Sequence, residues 1–329
     1  MHVKPSKPIK RTNADSPPEV RKPILEKLNP HPRNRHRGRY HFAQLVEALP
    51  ALKEFLITNR FDANELTINF ANPAAVLALN AALLKAFYGV EAWSIPPDYL
   101  CPAIPGRADY VHYIADLLAA NNNGVIPRGP DICGLDVGVG ANCIYPLIGQ
   151  HEYDWRFVGS DTDTAALAAA QQIVDRNAGL ATAIELRCQS SVHKIFEGVV
   201  TPADRFDFVI CNPPFHASAK EAEAGALRKW KNLGKADGLP KHASLKPKLN
   251  FGGRATELWC EGGEVGFVCR MVVESAQYRA QVAWFSALVS QEKNLPTIYA
   301  ALRDVNARQV ETINMAQGQK KSRIVAWRF

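Results

Sequence analysis

The chain has 329 residues, 47% of them hydrophobic, and a net charge of +7, so it can bury a full core in one large domain or one domain with an appendage. No apolar run approaches the ~20 residues that span a bilayer, and the polar, proline-rich start lacks a secretion signal, so we expect a cytoplasmic protein without a membrane partner. Its seven cysteines include no Cys-x-x-Cys pair, which favours free buried thiols over a zinc site and predicts no metal.

The excess positive charge lies in an N-terminal arm. Residues 1–40 hold five lysines and six arginines against three acids, a net of +8, whereas the rest of the chain has 28 cations and 29 acids. A basic arm on a near-neutral body is typical of a protein that binds a polyanion, usually nucleic acid; a solubilising tail is the alternative. Residues 1–30 contain six prolines and few apolar positions, and we expect a disordered basic tail there.

Residues 31–125 are predicted to form a small N-terminal extension with helices. Cations alternate with small or aromatic residues over 31–40, and residues 92–106 are a proline-rich loop. Apolar periodicity and helix start and stop signals define the elements between them. The predicted elements are helices over Phe42–Leu49, Ala74–Tyr88 and Arg107–Ala120, and a short strand at Leu66–Phe70.

From residue 126 onward, strand and helix patterns alternate. Such alternation predicts an α/β fold with a mostly parallel, doubly wound, seven-stranded Rossmann-like sheet. A short connection between the last two strands predicts an antiparallel pair, and this arrangement resembles the fold of S-adenosylmethionine-dependent methyltransferases. The candidate strands are Ile132–Val137, Arg156–Ser160, Ala183–Arg187, Phe206–Cys211, Gln281–Leu288, Arg308–Met315 and Ser322–Arg328, with helices over Thr164–Asn177, 257–279 and 296–306.

A glycine turn follows the first of these strands. Gly138 and Gly140 allow a sharp turn and a close approach of the backbone to a ligand. Cys143 stands where the dinucleotide-binding fingerprint has its third glycine, which argues against NAD and favours a cofactor without a pyrophosphate. The residues of this turn that we predict to bind the cofactor are Asp136, Gly138, Gly140, Ala141 and Asn142.

Two aspartates follow the second strand. Asp161 ends this strand about 20 residues after the glycine turn, where an acid accepts hydrogen bonds from ribose hydroxyls. Either Asp161 or Asp163 could instead cap the next helix. We favour ribose binding for Asp161 and helix capping for Asp163.

Asn212, Pro213, Pro214 and Phe215 follow the fourth strand. Two prolines cannot continue a strand, so the chain leaves the sheet at its carboxyl edge, where open α/β folds bind ligands. The Asn212 amide oxygen and the Pro213 carbonyl can accept the two hydrogens of an amine, while the Phe215 ring can stack on a planar group. The motif resembles the catalytic motif of amino-methyltransferases, which use S-adenosylmethionine to methylate adenine or cytosine amines or a glutamine amide.

A basic loop begins two residues beyond this motif. Residues 217–254 are poor in branched apolar side chains, and Lys220–Arg254 holds nine cations against three acids. We predict a mobile lid that orders on its substrate and contacts RNA through Arg228, Lys229 and Lys231, with an ordinary surface insertion as the alternative.

Several further segments resemble the bacterial large-subunit ribosomal RNA methyltransferase F family, which is related to the methyltransferase-like 16 family. The resemblance covers about residues 29–329 and implies methylation of one adenine N6 in 23S rRNA. The partner would be 23S rRNA or a large-subunit assembly intermediate, bound by a monomer. The segments are His31–Arg35, Asn69–Pro73, Cys101–Tyr110, Gly138–Pro146, Leu249–Gly253, Glu257–Glu264 and Met315–Lys320.

The resemblance also implies roles for single residues. Arg107 would bind the cofactor carboxylate, as a bidentate guanidinium can, and Ser191 would contact the cofactor. Residues 31–125 would bind RNA and cover the cofactor, and residues 126–329 would form the methyltransferase domain with loop 217–254. The arginines of the implied RNA-contacting arm are Arg33, Arg35, Arg37 and Arg39.

Other functions remain open from the residues alone. Adenine methylation of another RNA or of DNA would use the same motif, and glutamine methyltransferases typically carry Asn-Pro-Pro-Tyr. A non-enzymatic RNA-binding scaffold with a decayed site is a further alternative. Phe215 and the two basic segments favour a nucleic acid substrate over a protein.

Overall fold

The computed structural model describes residues 30–60, 62–218, 220–221, 255–317 and 320–329. The predictions for the tail at 1–29, and for Arg228, Lys229, Lys231 and most of loop 217–254, lie outside these residues. Among the described helices, none has both the length and the hydropathy needed to cross a membrane.

The N-terminal region contains helices and one β-hairpin. Asn72 caps the second helix by accepting a hydrogen bond from the backbone N–H of Ala74 at 3.0 Å, and Pro73 occupies its first turn, as predicted. The elements are α1 (Phe42–Ala48), a 3-10 turn (Pro50–Phe55), the antiparallel strands β1 (Leu56–Asn59) and β2 (Asp62–Ile68), α2 (Pro73–Tyr88) and α3 (Ile104–Ala120).

A parallel sheet of four strands follows, in the spatial order β5-β4-β3-β6. The parallel character of the sheet is as predicted; helices lie in the β3–β4 and β4–β5 connections, whereas residues 189–207 between β5 and β6 contain no helix. These elements are β3 (Cys133–Val137), α4 (Ile144–Tyr153), β4 (Arg156–Asp161), α5 (Thr164–Asp175), α6 (Leu180–Ala183), β5 (Ile184–Cys188) and β6 (Phe208–Cys211).

The remaining strands form an antiparallel sheet in the order β7-β9-β8. The antiparallel pairing of the last two strands is confirmed. These elements are α7 (Ala255–Leu258), α8 (Gly263–Ser275), β7 (Phe285–Val289), α9 (Leu295–Asp304), β8 (Gln309–Gln317) and β9 (Lys320–Arg328).

The two sheets meet along β6 and β7, so seven strands are divided between sheets of four and three rather than forming the one predicted sheet. Near the seam the Val209 N–H donates to the Trp284 carbonyl at 2.7 Å. Side chains then replace the ladder, because the Ser286 hydroxyl donates to the Val209 carbonyl at 2.6 Å and lies 3.0 Å from the Tyr110 hydroxyl of α3. A side-chain insertion therefore interrupts the backbone pairing.

One hydrophobic cluster joins the N-terminal helices to the parallel sheet. It includes Leu83 of α2, Ile114 of α3, Ile148 of α4 and Phe208 of β6, all nearly inaccessible to solvent. A second cluster fills the other face between the sheets and α8 and α9. The N-terminal helices thus complete the core of the sheet.

Candidate active site

A cavity of about 390 Å³ opens at the carboxyl ends of β3, β4 and β6. This edge of a parallel sheet is where α/β folds bind their ligands. The side chains of Leu100 and Arg107 from the N-terminal region contribute to its wall. Its other lining residues fall within 137–145, 160–162, 189–195, 211–214 and 257–270.

The glycine turn forms the floor of this cavity. Gly138 and Gly140 have φ angles of +79° and +62°, in the left-handed region that glycine adopts without strain. The N–H groups of Gly138 and Val139 donate to the Ser160 carbonyl at 2.9 Å, which holds the turn against β4. A Cβ built on Gly138 would meet no atom within 4 Å, so the backbone borders open space that a ligand could fill.

Cys143 stands at the position of the missing third glycine, in the left-handed conformation. Its φ is +53°, and it stands directly before α4 with a fully buried side chain. The Asn142 side chain lines the cavity and accepts a hydrogen bond from the Ile144 N–H at 3.2 Å. The turn therefore enters α4 through a non-glycine residue at positive φ, which is uncommon, and its small thiol is fully buried.

Asp161 lies where the cavity meets the end of β4. One carboxylate oxygen accepts from the Gly140 N–H and the other from the Asp163 N–H, each at 2.9 Å. Burial raises the pKa of Asp161 above its ordinary value, and these N–H groups offset only part of the rise. Each oxygen keeps a lone pair for a ligand hydroxyl. Asp163 caps α5 by accepting from the N–H groups of Ala165 and Ala166, as predicted.

Asp136 lies beneath the turn, and the charge of Arg107 in the cavity wall acts on it. Asp136 is buried, and neither of its carboxylate oxygens has a hydrogen-bond partner among the described residues. Burial, with the nearby charge of Asp161, raises the pKa of Asp136 well above its ordinary value, and Arg107 opposes that rise. The Arg107 guanidinium lines the cavity and lies 5.5 Å from the centre of the Tyr145 ring.

Three predicted cofactor residues lie outside the cavity lining. Asp136 and Ala141 are buried beneath the turn, and Ala141 packs in a small cluster against α5. Ser191 adjoins the wall, where its N–H donates to the Gln189 side chain at 2.9 Å. Gln189 itself lines the cavity, and sequence reasoning missed it because its orientation depends on tertiary contacts.

The Asn-Pro-Pro-Phe motif forms the wall beyond β6. Asn212, Pro213 and Pro214 line the cavity, whereas Phe215 is half-buried and packs against the hydrophobic core. The Asn212 Oδ1 atom is inaccessible to solvent and has no hydrogen-bond partner within the described part of the chain. An acceptor is therefore buried beside the open space.

The segment 257–261 closes the opposite wall. Glu257 accepts a hydrogen bond from the Leu100 N–H at 3.1 Å, which ties this segment to the N-terminal region. The His216 N–H donates to the Leu258 carbonyl and the Cys260 N–H to the His216 carbonyl, both at 3.1 Å. These bonds set Trp259 beside the chain that follows Phe215. Only the family resemblance had pointed to this segment.

The arm arginines make contacts within the protein. Arg33 pairs with Asp116 at 2.8 Å and donates to the Tyr153 hydroxyl at 3.0 Å, and Arg35 pairs with Glu152 at 2.6 Å. Arg39 is mostly exposed and pairs with Glu65, while exposed Arg37 donates to the Pro32 carbonyl at 3.4 Å. RNA binding by these four residues stays a prediction.

His31, Asn34 and His36 dock the arm on α2 and α3. The His31 N–H donates to Asp109 at 2.8 Å, and the Asn34 amide donates to the Pro105 carbonyl at 2.9 Å. His36 is buried against Tyr88, and burial lowers its pKa to about 4, with the charge of Arg35 adding to this effect. The His31–Arg35 block is therefore explained at least in part by folding.

Among the described residues, no group of three or more His, Cys, Asp or Glu side chains is placed to hold a metal ion. The prediction that the protein uses no metal stays a prediction.

Comparison with known proteins identifies the family. A family model described as RNA methyltransferase matches residues 25–329. Ribosomal RNA large subunit methyltransferase F of Pseudomonas syringae pv. syringae (strain B728a) is 55% identical over 304 residues, which cover 92% of this chain and 90% of that protein. The protein of the same name from Methylobacillus flagellatus is 54% identical over 313 residues, 92% of this chain and 93% of that protein.

Solved structures of human METTL16 share the fold. The catalytic domain in complex with MAT2A 3'UTR hairpin 1 is 28% identical with a TM-score of 0.74, covering 92% of this chain and 96% of that one. The N-terminal domain in complex with SAH is 25% identical with a TM-score of 0.69, covering 94% and 99%. This α/β methyltransferase fold and the identity of 55% to named relatives lead to one conclusion: the chain belongs to the ribosomal RNA large subunit methyltransferase F family of RNA methyltransferases.

Proposed function

We propose that this protein transfers a methyl group from S-adenosylmethionine to the N6 amine of a specific adenine in 23S rRNA. The observation that carries the proposal is the buried Oδ1 atom of Asn212, a residue of the cavity wall; this atom has no partner among the described residues. A buried acceptor without a donor costs stability, so a site that retains one is built for a donor that arrives with a ligand. An exocyclic amine supplies that donor.

The cavity residues fit the cofactor. The open space over Gly138 accommodates a ligand against the backbone, and Asp161 has acceptor capacity for ribose hydroxyls. Arg107 in the wall suits a carboxylate. S-adenosylmethionine, when bound, supplies a methyl group on a sulfonium, which is a good leaving group. We include Asp136, Ala141, Asn142 and Ser191 in the proposed binding region, with the first two acting from beneath the turn.

The chain's own contribution to the reaction is positioning and electrostatics. An aromatic amine is a poor nucleophile because its lone pair is delocalised into the ring. The Asn212 Oδ1 atom and the Pro213 carbonyl, accepting the two amine hydrogens, favour a pyramidal nitrogen whose lone pair points away from the ring. Pro214 fixes the backbone direction, and we assign Phe215 to stacking on the base once RNA is bound.

RNA recognition is proposed to use both basic segments. The arm through Arg39 and loop 217–254 carry the positive charge, and residues 31–125 also place Leu100 and Arg107 over the cavity. The ribosomal name of the relatives and the hairpin bound by human METTL16 support an RNA substrate for this chain. We propose that the protein acts as a cytoplasmic monomer on 23S rRNA, either free or within a large-subunit assembly intermediate. Residues 126–329 would form the domain that carries out the methyl transfer.

The test is a map of N6-methyladenine in 23S rRNA from cells with and without the gene. We expect one adenine to lose its methyl group in the deletion strain and to regain it with the wild-type gene, but not with Asn212→Ala. The purified variant should retain cofactor affinity. An identical map in both strains refutes the proposal, and methyl transfer to DNA or to a protein glutamine by the purified enzyme would replace it.

A further inference from the structure

Trp259 carries a second buried polar atom without a partner. Its indole Nε1 is inaccessible to solvent and makes no hydrogen bond to any described residue, and the side chain lines the same cavity as Asn212. Three other tryptophans differ from Trp259: the indole N–H groups of Trp93, Trp155 and Trp327 each donate to a protein oxygen at 2.9 Å. A donor left open at the cavity wall is thus matched to an acceptor on a ligand.

The backbone holds this donor next to the catalytic motif. Trp259 pairs with His216 in a parallel bridge, and the carbonyl and N–H on either side of it bond to the His216 backbone at 3.1 Å. His216 follows Phe215 directly. The position of Trp259 relative to Asn212 is therefore fixed by a short stretch of chain.

We infer that Trp259 is a specificity-determining residue, whose indole N–H donates to a ring nitrogen beside the amine that Asn212 holds. The inference rests on the proposed function. The inference adds to the proposed function the ring nitrogen by which the site would recognise the base.

The Trp259 indole N–H is a donor and the Asn212 Oδ1 atom is an acceptor, so together they match a base that offers a ring acceptor next to an amine. Adenine has ring acceptors, N1 and N7, on both sides of its N6 amine, and cytosine has N3 beside its N4 amine. Guanine and uracil present a carbonyl oxygen where the amine would be, so each would face Asn212 with an acceptor, and that contact is repulsive. On the Watson–Crick edge, the neighbouring guanine N1–H or uracil N3–H would also face Trp259 with a donor, whereas guanine N7 on the other edge is an acceptor. The pair therefore rejects both bases on the Watson–Crick edge, and rejects guanine through Asn212 alone on the N7 edge.

The test combines Trp259→Phe with single-atom changes in the RNA. The substrates are 23S rRNA fragments that carry adenosine, 1-deazaadenosine or 7-deazaadenosine at the target position. With adenosine, we expect Trp259→Phe to lower kcat/KM by about tenfold, because one hydrogen bond is lost and a buried acceptor is left open. With the deaza base that lacks the contacted nitrogen, wild type and variant should be equal.

The test compares the ratio of the wild-type kcat/KM to the variant kcat/KM on each RNA, because removing a ring nitrogen also alters the reactivity of the amine itself. Trp155→Phe is the matched control: it removes an indole N–H bonded to the Pro127 carbonyl, outside the cavity, and should give the same ratio on all three RNAs. A Tm close to that of the wild type verifies that Trp259→Phe is folded, and calorimetry measures its cofactor affinity separately.

Three outcomes would overturn the inference. The first is an equal kcat/KM for wild type and Trp259→Phe on the adenosine RNA, and the second is a tenfold difference that persists on both deaza RNAs. The third is a tenfold loss of cofactor affinity, which would assign the indole to the cofactor. A wild-type enzyme that methylates the target adenosine neither in this RNA nor in large-subunit assembly particles would refute the proposed function instead.

Discussion

At the scale of single residues, buried polar atoms without partners gather around the cavity. Asp136, Asn212 and Trp259 each have one or two such atoms within the described part of the chain. Leaving a buried donor or acceptor open costs about 1–3 kcal/mol, so together they weaken the ligand-free protein. A ligand that supplies the missing partners removes this cost, so we expect ligands to stabilise this protein strongly.

The raised pKa of Asp136 gives a pH-dependent prediction. The folded protein keeps the Asp136 proton at a pH where the unfolded chain, with an ordinary aspartate pKa of 3.8, has released it. Stability is therefore lost as pH rises from the unfolded value through the raised folded value. Asp136→Asn removes this loss, so the variant should gain stability relative to wild type as pH increases.

Urea unfolding of both ligand-free proteins between pH 4 and pH 8 measures this difference. A difference in unfolding free energy that stays constant over the range would show that Asp136 is ionised in the folded state.

At the scale of elements, helix α8 holds two loops with two buried carboxylates. Glu274 accepts hydrogen bonds from the backbone N–H groups of Ile195, Phe196 and Glu197 at 2.7–2.9 Å. Glu264, a few turns earlier, binds residues 290–294, including the Ser290 N–H at 2.8 Å. Only the first loop contributes to the cavity wall.

Glu274 should therefore act as a positioning residue for the cofactor. Glu274→Ala frees the loop, and we expect cofactor affinity to fall by about tenfold, since three charge-assisted bonds are lost. The rate of single turnover at saturating cofactor should be unchanged. Glu274→Gln, which keeps one acceptor oxygen, should give an intermediate affinity.

Glu264→Ala is the matched control on the same helix. It should lower the Tm as Glu274→Ala does while the cofactor Kd stays at the wild-type value. If Glu264→Ala and Glu274→Ala changed the cofactor Kd equally, Glu274 would have a purely structural role.

Most elements were predictable because their signals are local. The seven strands of the two sheets lie within a few residues of their predicted positions, since strand and helix patterns alternate along this part of the chain. Helix α4 was not predicted, because Cys143 gives no capping signal and Ile144–Tyr153 is apolar on most positions. The helix predicted over 257–279 is divided at Gly262 and Gly263, whose φ angles are +77° and +59°.

The candidate site was predictable only where residues follow strands. Asp161 and Asn212 line the cavity because the carboxyl ends of parallel strands meet at one edge. Gln189 and Trp259 could not be placed, because their orientations depend on hydrogen bonds to distant or irregular segments. Arg33 and Arg35 carried a charge signal, and the sequence offered no way to see their partners Asp116 and Glu152.

At the scale of the whole molecule, the docked part of the arm is distinct from residues 1–29. His31, Asn34 and Arg33 bond to α3 or to Tyr153, so a deletion through Arg39 would damage the fold. A deletion of residues 1–29 spares these contacts and still removes seven cations and three acids. It is the appropriate test of the arm's charge.

Removing residues 1–29 should weaken RNA binding and flatten its salt dependence. Each lost contact with a phosphate reduces the slope of log K against log salt by about 0.7–0.9. Cofactor affinity should be unchanged. A full-length variant with the seven cations replaced by glutamine separates charge from length and should match the deletion. An unaltered slope would leave the tail without a role in RNA binding.

The hydroxyl pair at the seam between β6 and β7 constrains the engineering of this family. Tyr110 belongs to the N-terminal region, yet its hydroxyl lies 3.0 Å from Ser286 and 3.4 Å from the carbonyl of Cys211, the residue before Asn212. A chimera that exchanges residues 31–125 between relatives takes position 110, which lies next to the start of the Asn-Pro-Pro-Phe motif, from a different parent than position 286. Recombination should therefore yield active hybrids only when the hybrid retains a hydroxyl pair at positions 110 and 286, whichever parents supply them.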